Sequence, residues 1–232
     1  MSTPIGQIIE TQKDYYRARA AEYDNWFLRR GKYDLGETHT RRWIREAGEV
    51  EAFMRASKPC GQILEIACGT GLWTRHLAPL SDHLTALDAS SEVVAINKQR
   101  VASNKVDYQL VDIFDWRAKR HYDFIFFGFW LSHIPADRFD GFWAMIKAAL
   151  KPGGKVFFVD SLVSSSLSET ERHTSKDYGG VVERVLEDGR KFNIVKIFYQ
   201  PDDLKIQLAQ LDWRGDVRGT ENFFIYGCLT SE

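Results

Sequence analysis

Ile63-Leu64-Glu65-Ile66-Ala67-Cys68-Gly69-Thr70-Gly71 is an apolar run that stops in a Gly-x-Gly pair. Residues 62–68 are expected as a strand buried on both faces. The two glycines lack a Cβ, so the loop they form lets a ligand reach the backbone. Outward from this stretch, helix and strand alternate. A helix is expected over 71–80, a strand over 83–89, a helix capped by Ser90 up to about 101, and strands over 107–114 and 122–130. A helix over 137–150 ends at Lys151-Pro152-Gly153-Gly154, and residues 155–160 give a fifth strand. Such alternation specifies an α/β protein built on a doubly wound, mostly parallel sheet.

The flanks follow other patterns. Ile8, Ile9, Tyr16, Tyr23, Trp26 and Phe27 fall near helical spacing, with Tyr16, Arg19 and Tyr23 on one face. The basic-aromatic stretch 28–33 leads through Gly31 and Gly36 into a second helix over 40–56. On the other side of the core, the Ser-rich stretch 161–168 reads as a flexible connection. Residues 181–186 and 191–199 flank Asp188-Gly189 as a β-hairpin. A helix over 201–211 starts on a proline, and strands over 212–217 and 222–229 close the sheet as an antiparallel pair. The expected organisation is one domain with seven core strands: a helical lid (1–58), a ligand-binding core (59–161 and 200–232) and a hairpin cap (162–199).

Composition narrows the function classes. The chain has 232 residues, 44% hydrophobic and 27% charged, with a formal net charge of −1, so no basic excess points to nucleic acid. Cys60, Cys68 and Cys228 share no ligand spacing, so neither a zinc site nor a disulfide framework is expected. No apolar run approaches the ~18 residues of a membrane span, and the first residues lack the pattern of a signal peptide. A cytoplasmic protein, monomeric or homodimeric, with no metal, nucleic acid or membrane, is the expectation.

Gly69-x-Gly71 alone marks only a nucleotide-like ligand. A nicotinamide loop would carry a third glycine three residues on, and that position is Thr74. S-adenosylmethionine (SAM) brings no phosphate but a sulfonium and an amino group, and Glu65 suits that positive end. Asp88, closing the second strand, can accept two ribose hydroxyls. Asp112, closing the third, can accept from an adenine amine while Ile113 packs on the ring. The bland alternative is that each acid simply caps a turn or helix.

Glu65-x-x-x-Gly69-x-Gly71, Asp88, Asp112 and Pro152-Gly153-Gly154 together resemble the class I SAM-dependent methyltransferases, over residues 60–160 and in the terminal strand pair. The resemblance implies a Rossmann-like sheet, SAM as cofactor, and a cofactor site of Glu65, Ala67, Gly69, Gly71, Asp88, Ala89, Asp112, Ile113 and Phe129. Residues 15–24 resemble the N-terminal helix of bacterial small-molecule members, which implies that Tyr16 and Arg19 meet the methionyl carboxylate. The competing view makes Tyr16 and Tyr23 core-facing aromatics.

For the acceptor, the turn after the fourth strand offers Phe129, Trp130 and His133, with His133 the candidate general base or a structural histidine. Tyr23 and Trp130 are expected beside the substrate. If the hairpin turn carries a bulge at Gly189, even-numbered residues share a face, and Arg184 and Lys196 become two cations among Val182, Leu186, Phe192, Ile194 and Phe198. A two-residue turn would instead put the two cations on opposite faces. The hairpin and lid resemble those of a phosphonate O-methyltransferase of the same family, which implies that Arg184 and Lys196 suit an anionic acceptor. The reading is methyl transfer from SAM to a small anionic acceptor, on oxygen. The alternatives are N- or C-methylation, a nicotinamide-dependent oxidoreductase, or a non-catalytic SAM-binding protein.

Overall fold

The computed structural model describes residues 5–162 and 180–231. Seven strands form the central sheet: β1 (Gln62–Ile66), β2 (His83–Asp88), β3 (Val106–Leu110), β4 (Tyr122–Gly128), β5 (Leu150–Ser161), β8 (Trp213–Gly219) and β9 (Phe224–Ser231). Their order is β3-β2-β1-β4-β5-β9-β8. The first five pair in parallel, and β9 runs antiparallel to both β5 and β8. A Rossmann-like sheet of this order reverses direction between β1 and β4, so the carboxyl ends of those strands open a crevice. β6 (Val181–Val185) and β7 (Lys191–Val195) form a separate hairpin.

The helices are α1 (Ile5–Ala18), α2 (Tyr23–Phe27), α3 (Glu37–Ala56), α4 (Thr74–Leu77), α5 (Ser91–Val101), α6 (Phe139–Ala149) and α7 (Pro201–Ala209). One apolar cluster joins Phe139, Phe142, Trp143 and Ile146 of α6 and Leu204 and Leu208 of α7 to Ile125, Phe127 and Phe158 of the sheet. A second joins Trp43, Val50 and Met54 of α3 and Leu77 of α4 to Phe124, Phe126 and Phe157. Alternate residues of β4 therefore serve opposite layers, which is why its sequence is apolar throughout. Buried Glu46 of α3 fastens the turn before β9: it accepts from Thr220 Oγ1 (2.5 Å), the Asn222 amide and Nδ2 (3.0 and 2.6 Å) and the Phe223 amide (3.0 Å). Burial alone would raise its pKa, but these hydrogen bonds hold it below the ordinary value.

Several elements differ in extent from expectation. The first helix stops at Ala18, and the chain turns through Arg19 to Glu22 before α2, because Asp24 is held by Thr70 and Arg100 of the core. α4 has only four residues, followed by a 3₁₀ turn over Ala78–Leu80. β3 ends at Leu110, so Asp112 and Ile113 lie in the loop beyond it. β5 starts at Leu150 and incorporates the Pro-Gly-Gly punctuation through a register shift against β4. The Ser-rich connection lies outside the described residues beyond Ser161 and Leu162.

Candidate active site

The β1 loop is built on left-handed backbone: Ala67, Gly69 and Gly71 have φ of +54°, +51° and +88°. At Gly69 a Cβ would find only the Ala67 carbonyl, 4.0 Å away, so the loop faces open space there. At Gly71 a Cβ would sit 2.6 Å from Asn97 Oδ1. Gly71 therefore makes room for Asn97, whose Nδ2 donates to the carbonyls of Cys68 (3.3 Å) and Gly69 (3.1 Å) and to Thr74 Oγ1 (2.8 Å). The two glycines of the motif do different jobs: one opens the loop, the other lets α5 brace it.

Asp88 ties this loop to the next. Its carboxylate accepts from the Gly69 amide (2.9 Å) and the Ser90 amide (2.9 Å). Burial raises its pKa, against the pull of the backbone amides of Ser90, Gly69 and Ala89. Asp112 accepts from the Phe114 amide (2.9 Å) and pairs with Lys13 Nζ at 2.5 Å. Lys13 belongs to α1, so the lid helix is joined across the crevice to the β3 loop. Gln12, one residue earlier, accepts from the Val195 amide (3.0 Å) and donates to the His133 carbonyl (3.3 Å).

Beneath α1 lies an open cavity at the carboxyl ends of the strands, where ligands of such sheets bind. Tyr16, Tyr23, Ala67, Gly69, Asp88, Ala89, Asp112, Ile113, Phe129, Trp130 and His133 all line it. Ile9, Gln12, Lys13, Ser90, Val93, Phe114 and Gly128 line it too and were not singled out from sequence. Ile9, Gln12, Lys13 and Tyr16 are three, four and seven positions apart, one helix face, so the periodicity that flagged Tyr16 carried the other three as well. Arg19, Glu65, Gly71, Arg184 and Lys196 are not among the lining residues.

Glu65 is 2% exposed, and its Oε2 has no hydrogen-bond partner among the described residues. Burial pushes its pKa up to about 8, against a hydrogen bond with Thr74 that pulls it down. His133 is buried with both ring nitrogens engaged: Nδ1 lies 2.6 Å from the Val195 carbonyl and Nε2 2.6 Å from the Tyr16 hydroxyl. A carbonyl only accepts, so Nδ1 carries the hydrogen and Nε2 accepts from Tyr16. Burial, reinforced by the charge of Lys196, lowers its pKa to about 3.

The hairpin closes in a three-residue loop. Val185 pairs with Lys191, the Leu186 amide donates to the Arg190 carbonyl (2.9 Å), and Gly189 is left-handed (φ +86°). Val182 consequently faces Ile194 and Arg184 faces Phe192, so even-numbered residues share one side, as the bulged register requires. Val182, Leu186 and Ile194 on that side pack against Tyr15 of α1. Lys196, 6% exposed, donates to Ser132 Oγ (2.7 Å) and lies 3.4 Å from Asp160 Oδ1. Asp160 thus supplies Lys196 with a counter-charge inside the protein.

The residues present suit SAM. A buried carboxylate oxygen without a partner stands behind the loop, Gly69 leaves its backbone open, and two acids follow at the ends of β2 and β3. Among the described residues, no cluster of His, Cys, Asp and Glu is arranged to hold a metal ion, and no helix is long and apolar enough to cross a membrane.

Comparison with known proteins agrees. A methyltransferase-domain family matches residues 63–154. The structure is similar to that of the DhpI–SAH complex, with 37% sequence identity, 97% of each chain covered and a TM-score of 0.79. It is similar to the DhpI–SAM–HEP complex at 38% identity and the same TM-score, over 96% of this chain and 97% of the other. The ubiquinone biosynthesis O-methyltransferase of Xanthomonas campestris pv. campestris is 30% identical over 110 residues, 44% of each chain. The ubiquinone/menaquinone biosynthesis C-methyltransferase UbiE of Geotalea daltonii is 33% identical over 110 residues, 44% of this chain and 46% of the relative. The chain thus spans less than half the length of these curated relatives. Fold, site and comparisons together place the chain in the class I SAM-dependent methyltransferase family.

Proposed function

We propose that this protein transfers a methyl group from SAM to an oxygen atom of a small anionic acceptor. The observation that supports the acceptor class is the hairpin register, which sets Arg184 on the side that packs against α1. Residues 1–58 act as the lid, 162–199 as the cap, and the remainder as the SAM-binding core. In this reading Glu65 meets the cofactor's positive end, Asp88 and Ala89 its ribose, and Asp112 and Ile113 its adenine. Ala67, Gly69, Gly71 and Phe129 shape the loop around it, and Tyr23 and Trp130 border the acceptor. Operation in the cytoplasm, on a small molecule and not on nucleic acid, belongs to the same reading.

Bound SAM would supply an activated methyl on a sulfonium. The protein's contribution is then alignment, an effect worth up to ~7–11 kcal/mol. An acid that is already ionised needs no base. His133 fits that situation as a neutral acceptor that holds Tyr16, because both of its nitrogens are occupied. If the acceptor were a carbon or nitrogen that must lose a proton, the Tyr16–His133 pair would have to move it. The UbiE relative keeps C-methylation as the second reading.

The test is incubation of purified protein with SAM and a panel of small phosphonates, phosphate monoesters and carboxylates, with products read by mass spectrometry and proton NMR. A methyl resonance typical of an ester is expected. A methyl on carbon or nitrogen would establish the second reading, and no S-adenosylhomocysteine with any acceptor would leave a SAM-binding scaffold.

A further inference from the structure

Arg19 occupies the turn between α1 and α2 and is 9% exposed. Its guanidinium carbon lies 5.5, 5.2 and 6.0 Å from the ring centroids of Tyr15, Tyr23 and Tyr33, and Nη2 donates to the Tyr33 hydroxyl at 3.3 Å. Among the described residues, no Asp or Glu oxygen lies within 4.0 Å of it. A guanidinium so enclosed has aromatic faces and one phenol for company. That environment is costly for a charge, and a forked oxyanion is what its planar donors match.

The neighbours indicate where that oxyanion comes from. Tyr23 is a partition: its ring lines the cofactor cavity, whereas Arg19 contacts the same ring without lining the cavity. Tyr15 looks the other way, packing on Val182, Leu186 and Ile194 of the hairpin and lying 5.7 Å from the Phe192 ring, the cross-strand partner of Arg184. The hairpin turn is fixed to the same segment, its Glu187 amide donating to Glu22 (3.3 Å) and its Val185 carbonyl accepting from Lys32 (3.3 Å). Arg19 of the lid thus touches the same Tyr15 ring that packs on the hairpin face carrying Arg184.

We infer that Arg19 belongs to the anion subsite of the methyl acceptor, beside Arg184, and is not a ligand of the cofactor's methionyl carboxylate. The inference rests on the proposed transfer to an anionic acceptor and assigns the lid a part in selecting it. The acceptor's acidic group, whether phosphonate, phosphate or carboxylate, is gripped between lid and cap on the far side of Tyr23. From sequence, Arg19 is paired with Tyr16. Tyr16 lines the cavity and Arg19 does not.

The test compares Arg19→Gln and the conservative Arg19→Lys with the wild-type chain. SAM and S-adenosylhomocysteine affinities are measured by calorimetry, and KM and kcat with whichever phosphonate, phosphate ester or carboxylate the wild type methylates. The expected result for Arg19→Gln is a SAM Kd within about twofold of wild type and an acceptor KM raised about tenfold or more, one tenfold step being the loss of a single charge-assisted contact. Arg19→Lys should recover part of that loss. A Kd for SAM weakened tenfold with the acceptor KM unchanged would return Arg19 to the cofactor and overturn the inference. Equal KM and Kd in all three proteins would overturn it as well. A wild-type chain that methylates only neutral acceptors would sink the proposed function itself, an outcome visible before any variant is made. Should Arg19→Gln fail to give a folded protein by circular dichroism, Arg19→Lys decides by the same split between Kd and KM.

Discussion

Tyr16 donates a hydrogen bond from its hydroxyl to His133 Nε2 over 2.6 Å, and His133 in turn donates from Nδ1 to the carbonyl of Val195 at 2.6 Å. Lid, β4 loop and hairpin are thus linked through one neutral imidazole.

A pH profile follows from that link. With its pKa near 3, against a usual value of 6.5, His133 stays uncharged throughout the working range. The depressed value adds stability above pH 6.5 that is lost as pH falls toward 3, because only the unfolded chain takes up the proton. The expected kcat/KM profile therefore has no inflection near 6.5, measured between pH 5.5 and 9 with an acceptor that is fully ionised there. An acid limb near 6.5 that disappears in His133→Asn would show the imidazole titrating in turnover.

Glu65 behaves in the opposite sense. Its pKa, raised by burial to about 8, makes it largely protonated at pH 7. Its stabilising contribution is complete below about 4.5 and is lost as pH rises through 8. A cofactor with two positive groups favours the ionised form, so SAM binding at pH 7 should release close to one proton. Calorimetry in buffers of different ionisation enthalpy reads this release directly, and Kd should tighten by up to about tenfold per pH unit below 8. Glu65→Gln should bind more weakly and release no proton; identical proton release from the variant would place the titrating group elsewhere.

The two glycines of the loop should separate in a stability measurement. Gly69→Ala meets only the left-handed backbone penalty, about 1–2 kcal/mol. Gly71→Ala adds a Cβ 2.6 Å from Asn97, an overpacking cost of about 1–3 kcal/mol more. Urea unfolding should therefore rank Gly71→Ala as clearly the less stable. Equal midpoints would mean that Asn97 gives way without loss.

Lys13 and Asp112 hold the lid helix to the β3 loop across the cavity. Both side chains are partly exposed, so the pair adds only about 0.2–1 kcal/mol to stability. Its effect should appear in exchange instead: Lys13→Met is expected to speed S-adenosylhomocysteine dissociation about threefold, followed by stopped-flow fluorescence from Trp130 in the cavity wall. Lys13→Arg should behave as wild type. A dissociation rate unchanged in Lys13→Met would show that the remaining contacts of the helix, Gln12 and Tyr16 among them, suffice to hold it.

Much of this protein was legible in one dimension. Apolar runs of strand length, Gly69-x-Gly71 with Thr74 where a third glycine would stand, and acids following three successive strands were enough for the sheet, its parallel character and the cofactor. All of these depend on local rules: period, turn chemistry and the end of a strand. The hairpin register was open between two turns, and the three-residue loop with left-handed Gly189 decided for the one that puts even-numbered residues on one face. The partners of charged groups were decided only by the tertiary structure. Lys196 meets Asp160, Asp112 meets Lys13, and Arg19 sits among the rings of Tyr15, Tyr23 and Tyr33, each through contacts between segments far apart in the chain or through a turn that ends a helix early. The opening motif itself divides the same way. The spacing of Gly69 and Gly71 by itself indicated an open loop after the first strand. Only the fold decided that one faces the cavity and the other Asn97, because that depends on where α5 packs.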